Sequence, residues 1–317
     1  MSKIDNQQKL NIMKKQTLIF GMIALMGIFI LSGCEKAEEE MKPVSDMTIA
    51  EYASSDENFS ILVDALAKAD LVNVLNGTGN FTVFAPTNAA FNSLFSELGI
   101  SGIDALTKET LTPILLYHVL GTEVKSSMIS PGYVSTLSPA QGSAVSLKID
   151  VASGVKLNMS ANVTVADVDV KNGVIHVIDK VLLPPSIVDL AIANESFSIL
   201  VQAVVKANLV DALSAAGPFT VFAPTNAAFE ALFATLGVSG VADLTAEQLT
   251  PILTYHVVSG NVLSSQLSAG DVPTLNGESL SIAVSPAPSI NGTVNIVATD
   301  VQGSNGIIHV IDQVLLP

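Results

Sequence analysis

Residues Phe81–Phe91 read FTVFAPTNAAF, and the same eleven residues return at Phe219–Phe229. The spacing of 138 residues holds without a gap from Asn58–His118 to Ser196–His256, where roughly 39 of 61 positions are identical. A second block, NGVIHVIDKVLLP at Asn172–Pro184, recurs as NGIIHVIDQVLLP at Asn305–Pro317 with a spacing of 133. The second copy therefore lacks about five residues between His256 and Asn305. A period of this length is a domain, too long for a solenoid repeat, and each copy should carry its own core. Pro184-Pro185-Ser186 joins the copies. That link is short and restricted in its backbone angles, so the two modules are expected to touch.

Outward from the quoted stretch, periodicity assigns the elements. Phe81–Ala85 and Phe219–Ala223 are rich in strand formers. Thr87 and Thr225 follow, placed to cap the apolar helical stripes Phe91, Leu94, Phe95, Leu98 and Phe229, Leu232, Phe233, Leu236, which Gly99 and Gly237 close. Phe59, Leu62, Val63 and Leu66 recur at helical spacing, as do Phe197, Leu200, Val201 and Val204. Thr48 with Glu51, and Ser186 with Asp189, have the spacing of capping boxes. Thr112-Pro113 and Thr250-Pro251 read as a cap with Pro in a first helical turn. The later part of each copy alternates between apolar and polar residues, as in Ser146–Ile149, Val155–Asn158, Val163–Ala166 and Val174–Leu183. Helices followed by a run of antiparallel strands make each module α+β.

Apolar residues make up 49% of the chain, while aromatics are 5% and Trp is absent, so the cores must be aliphatic. There are 14 Lys, no Arg and 29 acidic residues, for a net charge of −15. Nucleic acid is excluded as a partner, because phosphate backbones are held by clustered Lys and Arg. The one cysteine, Cys34, follows an uninterrupted apolar run, Thr17–Ile30, which is short for a spanning helix and fits a signal peptide. Leu31-Ser32-Gly33-Cys34 resembles the lipobox of bacterial lipoproteins. That resemblance implies removal of residues 1–33 and attachment of several acyl chains, palmitate among them, at Cys34, enough for lasting membrane attachment. Residues 34–46 are acidic and polar and read as a tether. Its Glu-Lys-Ala-Glu-Glu-Glu start is either a surface-export signal or a plain spacer. The expected location is the bacterial cell envelope, at the outer membrane.

The two repeated blocks resemble the signature segments of the fasciclin-like domain, T-V-F-A-P-[ST]-[ND]-x-A-F and N-G-x-I-H-x-I-D-x-V-L-x-P. Both occur twice, with a Tyr-His pair between them at Tyr117-His118 and Tyr255-His256. The resemblance covers 47–184 and 186–317. It implies two tandem modules, each a wedge-like antiparallel β-sandwich of about seven strands with helices along one edge. It also implies extracellular adhesion or binding instead of catalysis. Family binding positions fall on the Tyr-His pairs and on an Asp-Ile pair, which aligns here with Asp167-Val168 and Asp300-Val301.

No nucleophile, phosphate-loop or zinc motif is present, and Asp167 and Asp169 lack the spacing of a calcium loop. Each copy has two His, too few and too scattered for a metal site. His176 and His309, on strand faces, are expected to be hydrogen-bonded core residues. No catalytic residue, metal or cofactor is expected. The function expected is non-enzymatic binding of a surface protein or extracellular matrix polymer. The alternative is a binding protein for a glycan or small molecule, held in a module or in the cleft between them. Lys125, Lys148, Lys156 and Lys171 lie where the copies differ most, and the second copy has no Lys there. An anionic partner should therefore prefer the first module.

Overall fold

The computed structural model describes residues 42–285 and 287–317. The signal segment 1–33, Cys34 and most of the acidic tether lie outside the described residues. In the first module the Thr48 hydroxyl accepts from Glu51 N–H while the Glu51 carboxylate accepts from Thr48 N–H, closing a capping box. This box starts α1 (Ile49–Ser55), followed by α2 (Ser60–Lys68), α3 (Val72–Asn76), β1 (Phe81–Pro86), α4 (Asn88–Leu98) and α5 (Lys108–Tyr117). The strands β2 (Val119–Leu120), β3 (Gly132–Ala140), β4 (Ser143–Asp150), β5 (Lys156–Leu157), β6 (Ala161–Val170) and β7 (Gly173–Ile178) complete it. The second module repeats the order: α6 (Ile187–Ile192), α7 (Ser198–Lys206), α8 (Val210–Ser214), β8 (Phe219–Pro224), α9 (Asn226–Leu236) and α10 (Ala246–Tyr255). Its remaining strands are β9 (Val257–Ser259), β10 (Gly270–Pro273), β11 (Ser279–Ala283), β12 (Ser289–Ile290), β13 (Val294–Gln302) and β14 (Gly306–Ile311).

Each module is one seven-stranded ribbon with the order β2-β1-β7-β6-β5-β4-β3, repeated as β9-β8-β14-β13-β12-β11-β10. The ribbon is buried on both faces at its centre. Val83, Ala85, Ile175 and Val177 face a helical core built around Phe59, Leu62, Phe91 and Leu115. Phe84 and Ile178 face a second core with Tyr117, Val145, Leu147 and Leu157. β6 joins the two halves: it pairs with β5 at one end and with β7 along the rest, and two bulges bend it.

The antiparallel expectation holds for every strand pairing but one in each module. β1 runs parallel to β7, from Phe81 opposite Gly173 to Pro86 opposite Ile178, and β8 runs parallel to β14. The two repeated blocks are therefore neighbours in space, which is why they recur together. Their contact is tight enough that a Cβ on Gly173 would lie 2.0 Å from the Phe81 carbonyl oxygen. Asn172 closes the same corner: its amide oxygen accepts from Ile49 N–H and its amide nitrogen donates to the Leu75 and Gly77 carbonyls.

Two expectations fail locally. α5 starts at Thr107, not Thr112, and α10 at Thr245, not Thr250, so Pro113 and Pro251 lie inside helices. Thr112 does not cap; its hydroxyl donates back to the Lys108 carbonyl. The true signal is the reciprocal Thr245–Gln248 box. β3 was not expected as a strand, because Ser138 and Pro139 interrupt its alternation. It tolerates Pro139 because it is an edge strand with a bulge there.

The modules touch, as the short link requires. The Gln302 N–H donates to Ser146 Oγ at 3.0 Å, the Lys148 ammonium donates to the Ala193 carbonyl at 2.7 Å, and Asn194 Nδ2 donates to the Tyr133 hydroxyl at 3.3 Å. The Tyr133 ring packs against the helical core of the second module.

Candidate functional site

The Tyr-His pairs end α5 and α10, and both residues of each pair point inward. Tyr117 is fully buried in the sandwich core, where its hydroxyl donates to the Ser146 carbonyl at 2.9 Å and accepts from Asn158 Nδ2 at 2.9 Å. Burial pushes its ionisation up. His118 does not bond to Tyr117. Its Nδ1–H donates to the Ile114 carbonyl at 2.8 Å and its Nε2 accepts from Leu182 N–H at 2.9 Å, which fixes the tautomer. Tyr255 and His256 repeat this wiring through Ser279, Asn291, Ile252 and Leu315. Burial pushes both His118 and His256 down to about 4, so they are neutral at physiological pH. The pair locks the helix end to the chain leaving β7, and it presents no surface to a partner.

The Asp-Val pairs sit on the second bulge of β6 and on its counterpart in β13. Asp167 and Asp300 take the left-handed conformation there, with φ of 58° and 64°, which Asp adopts more readily than most residues. The Asp167 carboxylate accepts from Ser126 N–H at 2.7 Å and from the Ser126 hydroxyl. These two bonds hold it below the usual carboxylate range. The Asp167 N–H donates to His176 Nδ1 at 3.2 Å, and His176 Nε2–H donates to the Val124 carbonyl at 2.9 Å. His176 is fully buried and stacked on Phe84, with ring centroids 5.6 Å apart. Asp300, Ser264, His309, Val262 and Phe222 repeat the arrangement. Burial pushes His309 below its ordinary value. Val168 is half-buried and Val301 is buried, both packed into the helical cores. The Asp of each pair reaches solvent, and Val301 does not.

Ser, Asp and His meet here, but not as a catalytic triad. The carboxylate holds the serine directly, whereas a triad needs the histidine between them. Both imidazole nitrogens bond to backbone, so none is free to take the serine proton. Among the described residues no three His, Cys, Asp or Glu side chains converge as metal ligands. What the network does is pin the loop at Ser126–Met128 over the mouth of the sandwich. Sequence reasoning sets Ser126-Ser127 and Ser264-Ser265 aside for want of a paired base and does not connect them to Asp167 and Asp300, although Ser126 and Ser264 recur at the 138-residue spacing. Of the lysines expected to draw an anionic partner, Lys148 is occupied between the modules and Lys125 pairs with Asp169 at 3.0 Å. Lys156 and Lys171 are the two outside these contacts.

The fasciclin domain pattern matches residues 57–184 and 195–317. The chain belongs to the fasciclin domain family. Fasciclin domains are found in cell-adhesion and extracellular proteins. Over 132 residues the chain is 49% identical to Protein sll1483 of Synechocystis, covering 42% of this chain and 73% of that protein. Human periostin is 30% identical over 248 residues, covering 77% of this chain but only 29% of periostin. The chain thus spans less than a third of that relative. The solved FAS1 domain pair from the insect cell adhesion molecule fasciclin I is 20% identical, with a TM-score of 0.47, over 84% of this chain and 96% of that one.

Proposed function

We propose that this chain is a lipid-anchored, non-enzymatic protein of the bacterial cell envelope. Its two fasciclin modules bind another surface protein or an extracellular matrix polymer. The observation that carries this reading is the use made of the repeated residues. Asn88, Tyr117, His118, Asn172 and His176 are all engaged in internal hydrogen bonds, so the signatures build a scaffold and leave recognition to the surrounding loops. Attachment rests on Cys34. Cys34→Ser should abolish labelling by radioactive palmitate and release the protein from membranes or leave an unprocessed precursor. A variant that is processed normally yet stays membrane-bound would refute the anchor. Binding is tested by pull-down from envelope extracts, with each module presented separately.

A second reading has one observation in its favour. A cleft of about 350 Å³ lies beside the Pro184-Pro185 link, with Leu183 and Leu190 on its walls and Ser93, Ser160 and Lys180 among its polar groups. Clefts of this size at domain junctions suit a small polar ligand. Saturation of a Lys180→Ala variant with candidate glycans, compared with the parent chain, distinguishes this reading from adhesion.

A further inference from the structure

The cleft beside the Pro184-Pro185 link has two unlike walls. The first module supplies the polar one. Ala90, Ser93, Leu94 and Glu97 recur at helical spacing and form the face of α4 turned to the cleft. Ser160 follows the turn at Asn158 and Met159, and Lys180 follows the end of β7. The opposite wall is apolar, with Pro184 and Pro185 from the link and Leu190 and Ala193 from the second module. Two of the polar groups are already engaged. The Asp189 carboxylate accepts from the Ser186 N–H and hydroxyl, and the Asn158 amide is bonded to the Lys148 N–H and the Tyr117 hydroxyl. The side chains of Ser93, Glu97, Ser160 and Lys180 have no hydrogen-bond or ion-pair partner among the described residues. The repeat shows what these positions need for folding alone. In the second module Ser93 is matched by Ala231, Glu97 by Thr235 and Lys180 by Gln313. There the Thr235 hydroxyl donates to the Ala231 carbonyl at 3.0 Å, and Gln313 Nε2 donates to the Thr293 carbonyl at 3.0 Å. The fold satisfies these positions internally and without charge, so the two charges of the first module serve something other than the fold.

We infer that the cleft takes a short zwitterionic peptide, two or three residues long with aliphatic side chains. Its amino end pairs with Glu97 and its carboxylate with Lys180. Charge sets the class. A simple anion would meet Lys180 and be opposed by Glu97, and a simple cation would meet the reverse. A ligand carrying both signs satisfies both. The hydroxyls of Ser93 and Ser160 can each donate to or accept from the amide between the two ends. Aliphatic side chains match a lining that includes Leu94, Leu183, Pro184 and Leu190. No aromatic ring lines the cleft, so a sugar has no flat apolar face to lie on. Size sets the length: about 350 Å³ is at the lower end of the range that holds drug-sized ligands, which a di- or tripeptide fills better than a single amino acid.

The inference rests on the second reading above, that this cleft holds a small polar ligand, and names the class of that ligand. The test is titration calorimetry on the full chain in micelles of octaethylene glycol dodecyl ether, with the tripeptide Leu-Ala-Leu as probe. One peptide should bind per chain. Acetylating its amino end should weaken binding about fivefold, and amidating its carboxylate should do the same. Glu97→Thr and Lys180→Gln install the residues of the second module, and both side chains are exposed, so the fold does not depend on them. Glu97→Thr should weaken the free peptide to the level of the acetylated one and leave acetylation with little further effect. Lys180→Gln should do so for amidation. That non-additivity separates a direct pair from a general change of charge. Equal binding of free and blocked peptides, unchanged affinity in both variants, or no binding of Leu-Ala-Leu would overturn the inference. Maltotriose bound by the parent chain and lost in Lys180→Gln would overturn the peptide and keep the cleft as a ligand site. If neither probe binds, the cleft reading falls with the inference, while capture of an envelope protein by the modules is untouched.

Discussion

His118 and His256 are each buried with one nitrogen donating and the other accepting, and protonation would destroy the acceptor. Their proton affinities are depressed to about 4 from the ordinary 6.5, so the unfolded chain binds protons at a pH where the native one does not. The stability this provides is fully present above about pH 6.5 and is lost as the pH falls through about 4, of order 3 kcal/mol for each histidine. The urea midpoint should therefore drop between pH 7 and 4.5, before most carboxylates titrate. His118→Gln should start lower at pH 7 and show a flatter dependence over that interval. An unchanged slope would mean that His118 is protonated or exposed in the native state. At His176 and His309 the same reasoning predicts a structural role. His176→Ala should cost about 1–3 kcal/mol through the cavity and the orphaned Val124 and Asp167 groups, with no rescue by zinc or calcium in thermal unfolding. The burial of these histidines was legible from the strand alternation around them. The direction of each hydrogen bond of His176 and His309 was not, because it depends on chain segments 9 to 52 residues away.

The parallel pairing of β1 with β7 explains why particular residues are repeated at the level of the element. Asn172 holds three backbone groups from α1 and the end of α3, and Gly173 leaves room for the carbonyl of Phe81. Asn172→Ala would leave buried donors and acceptors without partners and should cost about 2–3 kcal/mol in denaturant unfolding. Gly173→Ala meets both a backbone clash and a φ of 150°, and should cost about 3 kcal/mol or more. If Gly173→Ala unfolds at the parental midpoint, the close approach of the strands is wrong. Helix caps at Thr48, Thr87, Ser186 and Thr225 were readable because their partners lie three residues away. The strand partners were not readable: β1 and β7 are separated by the rest of the module, and nothing in either alternation fixes direction. β3 was missed for the opposite reason, since its irregular pattern belongs to an edge that one neighbour alone constrains.

Across the whole molecule, the two modules share one body through Tyr133, Ser146 and Lys148. Each still has its own two cores and its own complete ribbon. A fragment from Pro185 to Pro317 should accordingly unfold in one cooperative transition, at a lower midpoint than the tandem because the Tyr133 ring no longer covers its helical core. Tyr133→Ala in the full chain should reproduce that decrease, of about 1–2 kcal/mol. A disordered fragment would show that the second module depends on the first. The contact between modules also has a consequence for how such units can be multiplied. By strand register, the places of Tyr133 and Lys148 on the second module are taken by Asp271 and Ser281. By repeat alignment, the places of Asn194 and Gln302 on the first module are taken by Asp56 and Asp169. If another copy were to stack on Pro317's end of this one in the same manner, Asp56 would be pressed toward Asp271, carboxylate against carboxylate. No ammonium would reach across. The joint is keyed to a single use: it couples these two units and offers no template for a filament.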